Sequence, residues 1–316
     1  MTPRRFCLLL LTIAAASAAI LFSLRSGAQA ATGTTLDVAA ASPGNNYDKA
    51  EFRLWYPNEA GTIRAAVVLV PGSNGDGRPT IDEAPWQAFA VRNKVALVGC
   101  RFTDKPHDQS FIEQYIDASR GSGQALLDAL VAFAKDSKHP ELAAAPLLLW
   151  GMSAGGEFNY EFVAWKPERV IAFVVNKGGI YYTALTSQAA RSVPGILFVG
   201  GKDLEFRTNT IVGLFAVNRR SGALWALAEE PGAAHVVGRS RDVAAILFED
   251  VLGLRLADQG PLKPLVERAG FIGDLKAKTF QPAAQATTPD YPTAWLPTAR
   301  VARAWQALVS DKPFEP

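Results

Sequence analysis

The stretch Leu147-Leu148-Leu149-Trp150-Gly151-Met152-Ser153-Ala154-Gly155-Gly156 decides how the rest of the chain is read. Its first four residues form a continuous apolar run, which suits a strand buried on both faces of a sheet. Gly-Met-Ser-Ala-Gly follows at once, and the residues after Gly156 are compatible with a helix. A serine between two glycines at this spacing fits a tight, strained turn from strand to helix. A Cβ at either glycine would collide with a neighbouring strand or with the helix. The turn displays the serine at its tip, in the pattern called a nucleophile elbow.

The pattern continues on both sides of this turn. Phe52, Leu54 and Tyr56 alternate as in a half-exposed strand, and residues 66–70 form a second apolar run ending in the turn-rich Pro71-Gly72-Ser73-Asn74-Gly75-Asp76-Gly77. Further strands are predicted at 95–100, 146–150, 170–176, 195–200 and 224–228, with helices around 86–91, 122–136 and 242–252. In the second of these helices Leu126, Leu130 and Phe133 share one face, and Ser122 is expected to cap the first turn. Short apolar runs alternating with amphipathic stretches predict an α/β fold, a mostly parallel twisted sheet with helices on both faces. Residues 31–256 are expected to form one catalytic domain. Residues 257–316 show no second set of alternating strands and are expected to pack on that domain through Trp295, Leu296, Trp305 and Leu308.

With 316 residues, 49% hydrophobic and 20% charged, the chain has the composition of an ordinary globular protein. Arg4 and Arg5 precede an apolar run over residues 6–22 and the small-residue end Ala28-Gln29-Ala30. Residues 1–30 therefore read as a secretory signal cleaved after Ala30, with an uncleaved N-terminal anchor as the alternative. Either form is exported, to the periplasm or outside the cell. Cleavage would remove three of the 32 basic residues and none of the 30 acidic ones, leaving a nearly neutral chain. Neither a nucleic-acid partner nor, short of an uncleaved anchor, a membrane partner is expected. Cys100 is the one cysteine beyond residue 30, so no internal disulfide is expected there.

On the residues 147–156 and the strand pattern around them, the chain resembles the α/β-hydrolase superfamily. Within it, the chain looks like secreted esterases related to polyhydroxyalkanoate depolymerases, feruloyl esterases and cutinase-like polyesterases, over about residues 50–255. The resemblance implies a triad in the order serine, acid, histidine, with the acid after a late strand and the histidine after the last. Ser153 is then the nucleophile. Asp203, in Gly201-Lys202-Asp203 after the 195–200 run, is the acid, with Glu205 as the alternative. Of the three histidines only His235 follows Asp203. His107 and His139 precede the serine in polar, proline-bounded loops and are read as non-catalytic.

An oxyanion hole needs two N–H donors. The elbow supplies Ala154, and Pro71-Gly72-Ser73 resembles the cutinase-like pattern in which the residue after Pro-Gly donates. Ser73 is thus the expected second donor, with Asn74 as the alternative. Loops at the carboxyl ends of the strands nominate Arg101, Phe102, Asn176, Lys177, Tyr181, Tyr182 and Phe206 as substrate contacts.

Competing motifs fail. The glycines from Gly72 to Gly77 are followed by Arg78-Pro79 rather than the lysine of a phosphate loop, and Gly121-Ser122-Gly123 lacks the third glycine of a dinucleotide site. Three dispersed histidines without His-Glu-x-x-His argue against a zinc hydrolase. The expected protein is an exported serine esterase without cofactor or metal, acting through an acyl-enzyme on polysaccharide-linked or polymeric esters. A serine peptidase or amidase with the same triad, and a non-catalytic binding protein, are the alternatives.

Overall fold

Runs of Val, Leu, Ile and Phe with no polar interruption can be strands only where both faces are covered, and the chain places them at the centre of its main sheet. The computed structural model describes residues 32–109, 112–257, 260–287 and 290–314. The predicted signal segment lies outside the described residues. In chain order the elements are β1 (Gly33–Ala39), β2 (Lys49–Pro57), β3 (Ala66–Val70), α1 (Ala84–Asn93), β4 (Ala96–Thr103), α2 (Ser122–Ser137), β5 (Leu147–Met152), α3 (Ala154–Trp165) and β6 (Val170–Asn176). They continue with α4 (Gln188–Arg191), β7 (Gly195–Gly200), α5 (Glu205–Arg220), β8 (Trp225–Glu230), α6 (Ser240–Arg255), β9 (Phe271–Asp274), β10 (Thr279–Pro282), β11 (Ala294–Leu296) and α7 (Ala299–Val309).

The first eight strands form one sheet in the order β1-β2-β4-β3-β5-β6-β7-β8. The pairs β1–β2 and β2–β4 are antiparallel, and from β4 to β8 every pair is parallel. The chain steps from β3 to one side to make β4 and later to the other side to make β5. Loops leaving the carboxyl ends on either side of such a reversal diverge and open a crevice. Val70 pairs with Gly151 across that boundary, so the loop after β3 and the turn after β5 emerge side by side.

Alternation divides the strand residues between two helical layers. Val68, Val70, Leu149, Phe173 and Val175 join Leu126, Phe133, Phe158, Phe162 and Ile211 in one core. Residues between them on the strands face the opposite layer, where Trp86 of α1 meets Trp150 and α6 packs on β6.

Three expectations need correction. Residues beyond 257 do contain strands, since β10-β9-β11 form a small antiparallel sheet. Each is only three or four residues long, too short to establish a period-two pattern. That segment docks through α7, where the buried Trp305 Nε1 donates to the carbonyl of Leu227 at 2.7 Å. Ser122 does not cap α2, because its hydroxyl donates to the Tyr115 carbonyl at 2.6 Å. The elements β1 and α5 were not anticipated: β1 is a half-exposed edge strand, and α5 buries only a narrow stripe that includes Ile211, Leu214 and Phe215.

Candidate active site

Ser153 sits between β5 and α3 with φ 55° and ψ −126°. A non-glycine residue there costs about 1–3 kcal/mol and persists only where its surroundings impose it. The surroundings are close-packed: a Cβ on Gly151 would strike the Gly155 carbonyl and lie 2.7 Å from Asn159 Nδ2, and one on Gly155 would lie 2.5 Å from the Pro71 carbonyl oxygen. The Ser153 N–H donates to the Asn176 carbonyl at 2.8 Å, tying the turn to the end of β6.

The three residues separated in sequence meet at this turn. His235 Nε2 lies 3.0 Å from Ser153 Oγ, and His235 Nδ1 lies 2.8 Å from Asp203 Oδ2. His235 is carried by the loop after β8, and Asp203 by the turn between β7 and α5. Burial pushes the Asp203 carboxyl up, but hydrogen bonds from His235 and the Leu204 N–H, with the Arg207 charge nearby, bring it below its ordinary value. The acid therefore stays ionised beside the imidazole. Glu205 is exposed at the start of α5, where its nearest partner is Asn209 at 3.4 Å, and it takes no part in this chain of contacts.

Two backbone amides near Ser153 are unbonded. Among the described residues neither the Ser73 nor the Ala154 N–H has an acceptor within the protein. The Asn74 N–H, by contrast, is occupied by the Tyr115 hydroxyl at 3.1 Å. Ser73, Ser153 and His235 line one cleft of about 700 Å³, together with Phe206, Arg207, Glu113 and Glu157. A carbonyl carbon within reach of Ser153 Oγ would present its oxygen to these free donors, as acyl transfer requires.

The cleft lining includes two acids, Glu113 and Glu157. Glu157 is 4% exposed, and its Oε1 accepts the Gly179 N–H at 2.5 Å and the Ile180 N–H at 3.0 Å. Its Oε2 has no partner. Burial pushes this carboxyl up to about 7, the two N–H donors oppose the rise, and the charge of Glu113 adds to it. Sequence reasoning missed Glu113, Glu157 and Arg207. Two signals were present: Glu157 stands four residues after Ser153 on a helix that is mostly apolar, and Arg207 stands four residues after Asp203, which it contacts at 3.2 Å.

Of the nominated substrate contacts only Phe206 lines the cleft. Phe102 belongs to the core, stacked on Tyr115 and packed against Phe158, because it shares a strand face with Val98 and Cys100. Arg101 points the other way and pairs with Glu51 at 2.8 Å. Asn176 and Lys177 are fully buried. Tyr181 turns inward against Tyr160, whereas Tyr182 is exposed and does not line the cleft. His107 and His139 pair with Asp104 and Glu141 away from the triad. Among the described residues no group of three or more His, Cys, Asp or Glu side chains is arranged to hold a metal ion.

No protein-family model and no curated protein matches the chain. Solved structures do. A poly(3-hydroxybutyrate) depolymerase from Bordetella parapertussis superposes with a TM-score of 0.50 at 16% identity, covering 72% of this chain and 92% of its own. The chain has the α/β-hydrolase fold. Two further structures with this fold are similar: an esterase from Pyrobaculum calidifontis (TM-score 0.48, 15% identity, 80% of this chain and 95% of that one) and poly(aspartic acid) hydrolase-1 from Sphingomonas sp. KT-1 (0.49, 14%, 70% and 100%). Ser153 lies on the turn from β5 to α3, at the carboxyl end of the sheet beside the loop after β3.

Proposed function

We propose that the chain is a serine hydrolase that cleaves carboxylic esters through an acyl-enzyme on Ser153. The observation that carries this reading is the unbroken relay from Asp203 Oδ2 through His235 to Ser153 Oγ, with contacts of 2.8 and 3.0 Å. His235 Nε2 accepts the hydroxyl proton as Oγ attacks the ester carbon, and Asp203 stabilises the resulting imidazolium. The tetrahedral oxyanion is held by the N–H groups of Ser73 and Ala154. The imidazolium then protonates the departing alcohol, and a water activated by the same imidazole releases the acid.

The resemblance to secreted polyesterases directs the substrate search toward polymeric and polysaccharide-linked esters, and the acidic lining of Glu113 and Glu157 favours neutral or cationic groups over anionic ones. Export follows from the reading of residues 1–30, and fractionation with N-terminal sequencing of the exported chain tests it.

For the chemistry, the expected result is fluorophosphonate labelling of the wild type but not of Ser153→Ala, with turnover of p-nitrophenyl acetate. Equal labelling of both would reject the reading. Faster turnover of p-nitroanilides than of matched esters would replace esterase with amidase.

A further inference from the structure

Lys177 was nominated from the sequence as a pocket residue, yet it is 0% exposed and lies behind the triad. It follows β6 directly in a left-handed conformation, φ 57°. Its Nζ donates to Glu230 Oε2 and to Asn176 Oδ1, both at 3.1 Å. Glu230 ends β8, where the loop that carries His235 begins, and its other oxygen accepts the Arg239 N–H at 2.9 Å, on the far side of that loop. The Glu230 carboxylate lies against Gly238, whose φ is 58° and where any Cβ would overlap it.

Asn176 completes the arrangement. Its Nδ2 donates to the Val237 carbonyl at 3.1 Å, and its own carbonyl accepts the Ser153 N–H at 2.8 Å. One buried network thus holds the serine turn at one end and both sides of the histidine loop at the other. A buried ion pair is a weak source of stability, since desolvation of both charges offsets their attraction. Apolar side chains would fill the same volume at no greater cost, so the pair is better explained by what it fixes in place.

We infer that Lys177 and Glu230 are positioning residues that, through Asn176, set His235 at hydrogen-bonding distance from Ser153. This inference rests on the hydrolase reading above. The brace touches neither substrate nor reacting atoms. Loosening it lets the imidazole drift from Ser153 Oγ while the cleft, and so substrate affinity, stays as it was.

Two variants test this. Glu230→Gln leaves one oxygen for two donors, so either Lys177 or the Arg239 N–H loses its acceptor. The double variant Lys177→Met/Glu230→Gln removes both charges and leaves neither buried alone. They are compared with wild type and Ser153→Ala in p-nitrophenyl acetate turnover, in the rate of fluorophosphonate inactivation and in thermal unfolding.

The expected result is a fall of about 10- to 100-fold in kcat and in the inactivation rate constant, with KM within about 3-fold, because displacing a reacting group by about 1 Å costs on that order. Folded variants with wild-type kcat, or a loss confined to KM, would overturn the inference. Should the double variant fail to fold, Glu230→Gln decides alone by the same criterion. An active Ser153→Ala would sink the hydrolase reading, and the inference with it. An inactive Ser153→Ala beside fully active brace variants would sink the inference alone.

Discussion

Two carboxylates with buried side chains serve the same region, Asp203 hydrogen-bonded to His235 and Glu157 in the cleft lining, and their affinities for a proton are shifted in opposite directions. Asp203 leaves 2% of its side chain exposed and Glu157 is 4% exposed, so desolvation weighs on both. Asp203 is nevertheless held below its ordinary value, because His235, the Leu204 N–H and Arg207 all favour the charged form. Glu157 has the two N–H donors of Gly179 and Ile180 and the more distant charge of Arg207 against a larger burial cost and the charge of Glu113, and rises to about 7. Depth and partners together decide which acid serves as an anion. Asp203 holds a fixed negative charge beside His235. Glu157 changes its charge near neutrality.

The triad is broken most severely by Ser153→Ala or His235→Ala. Each should lower kcat by about 10⁴- to 10⁶-fold, and the double variant should be little worse than either, since the two act as one unit. Burst kinetics with p-nitrophenyl acetate measure this, and additive losses would mean that the residues act separately. Asp203→Asn should lose about 10³- to 10⁴-fold, because an amide cannot hold the imidazole in the required tautomer or stabilise its protonated form. The same assay reads it, and a loss under tenfold would remove Asp203 from the relay.

The Glu157 carboxyl is tested through stability. Between the ordinary carboxyl value of 4.5 and about 7 the folded protein keeps a proton on Glu157 that the unfolded chain releases. Stability therefore falls as pH rises through that window, by up to about 3 kcal/mol from this one group. Glu157→Gln keeps an acceptor for Gly179 and Ile180 and has nothing to titrate. It should equal wild type below pH 4.5 and exceed it above pH 7, as read by urea unfolding at several pH values. Parallel curves for the two proteins would show that folding leaves the Glu157 carboxyl at its ordinary value. The smallest effect is expected from Phe206→Ala: the ring is 46% exposed, and its loss should raise KM about 3- to 5-fold for aryl esters with kcat unchanged, a pattern of uniform binding lost.

Much of the site was legible before any coordinates. Gly151 and Gly155 marked the turn because backbone passes too close there for a Cβ, and this constraint is local. Asp203 and His235 were found because each lies in a loop directly after an apolar strand run, in the order the resemblance implied. The substrate contacts were read poorly. Arg101 and Phe102 sit at the correct end of β4, but which of two alternating neighbours faces the core depends on the partner strand. The periodicity of Val98, Cys100 and Phe102 would have assigned Phe102 inward had it been followed to the end of the run. Lys177 is the extreme case, a lysine whose charge suggested solvent and whose buried partner lies 53 residues away at Glu230.

The amino-acid sequence by itself determined where apolar runs begin and end, where a serine must be displayed on a strained turn, and that a single histidine follows the candidate acids. Only the tertiary structure decided which polar groups meet: Asp203 rather than Glu205 beside His235, the N–H of Asn74 rather than that of Ser73 on the Tyr115 hydroxyl, and Lys177 on buried Glu230 rather than in the cleft. The reason is physical. Backbone sterics and the period of burial act over a few residues and leave their mark in local sequence, whereas a hydrogen bond or ion pair between distant residues forms only after the sheet has fixed the ends of its strands in space.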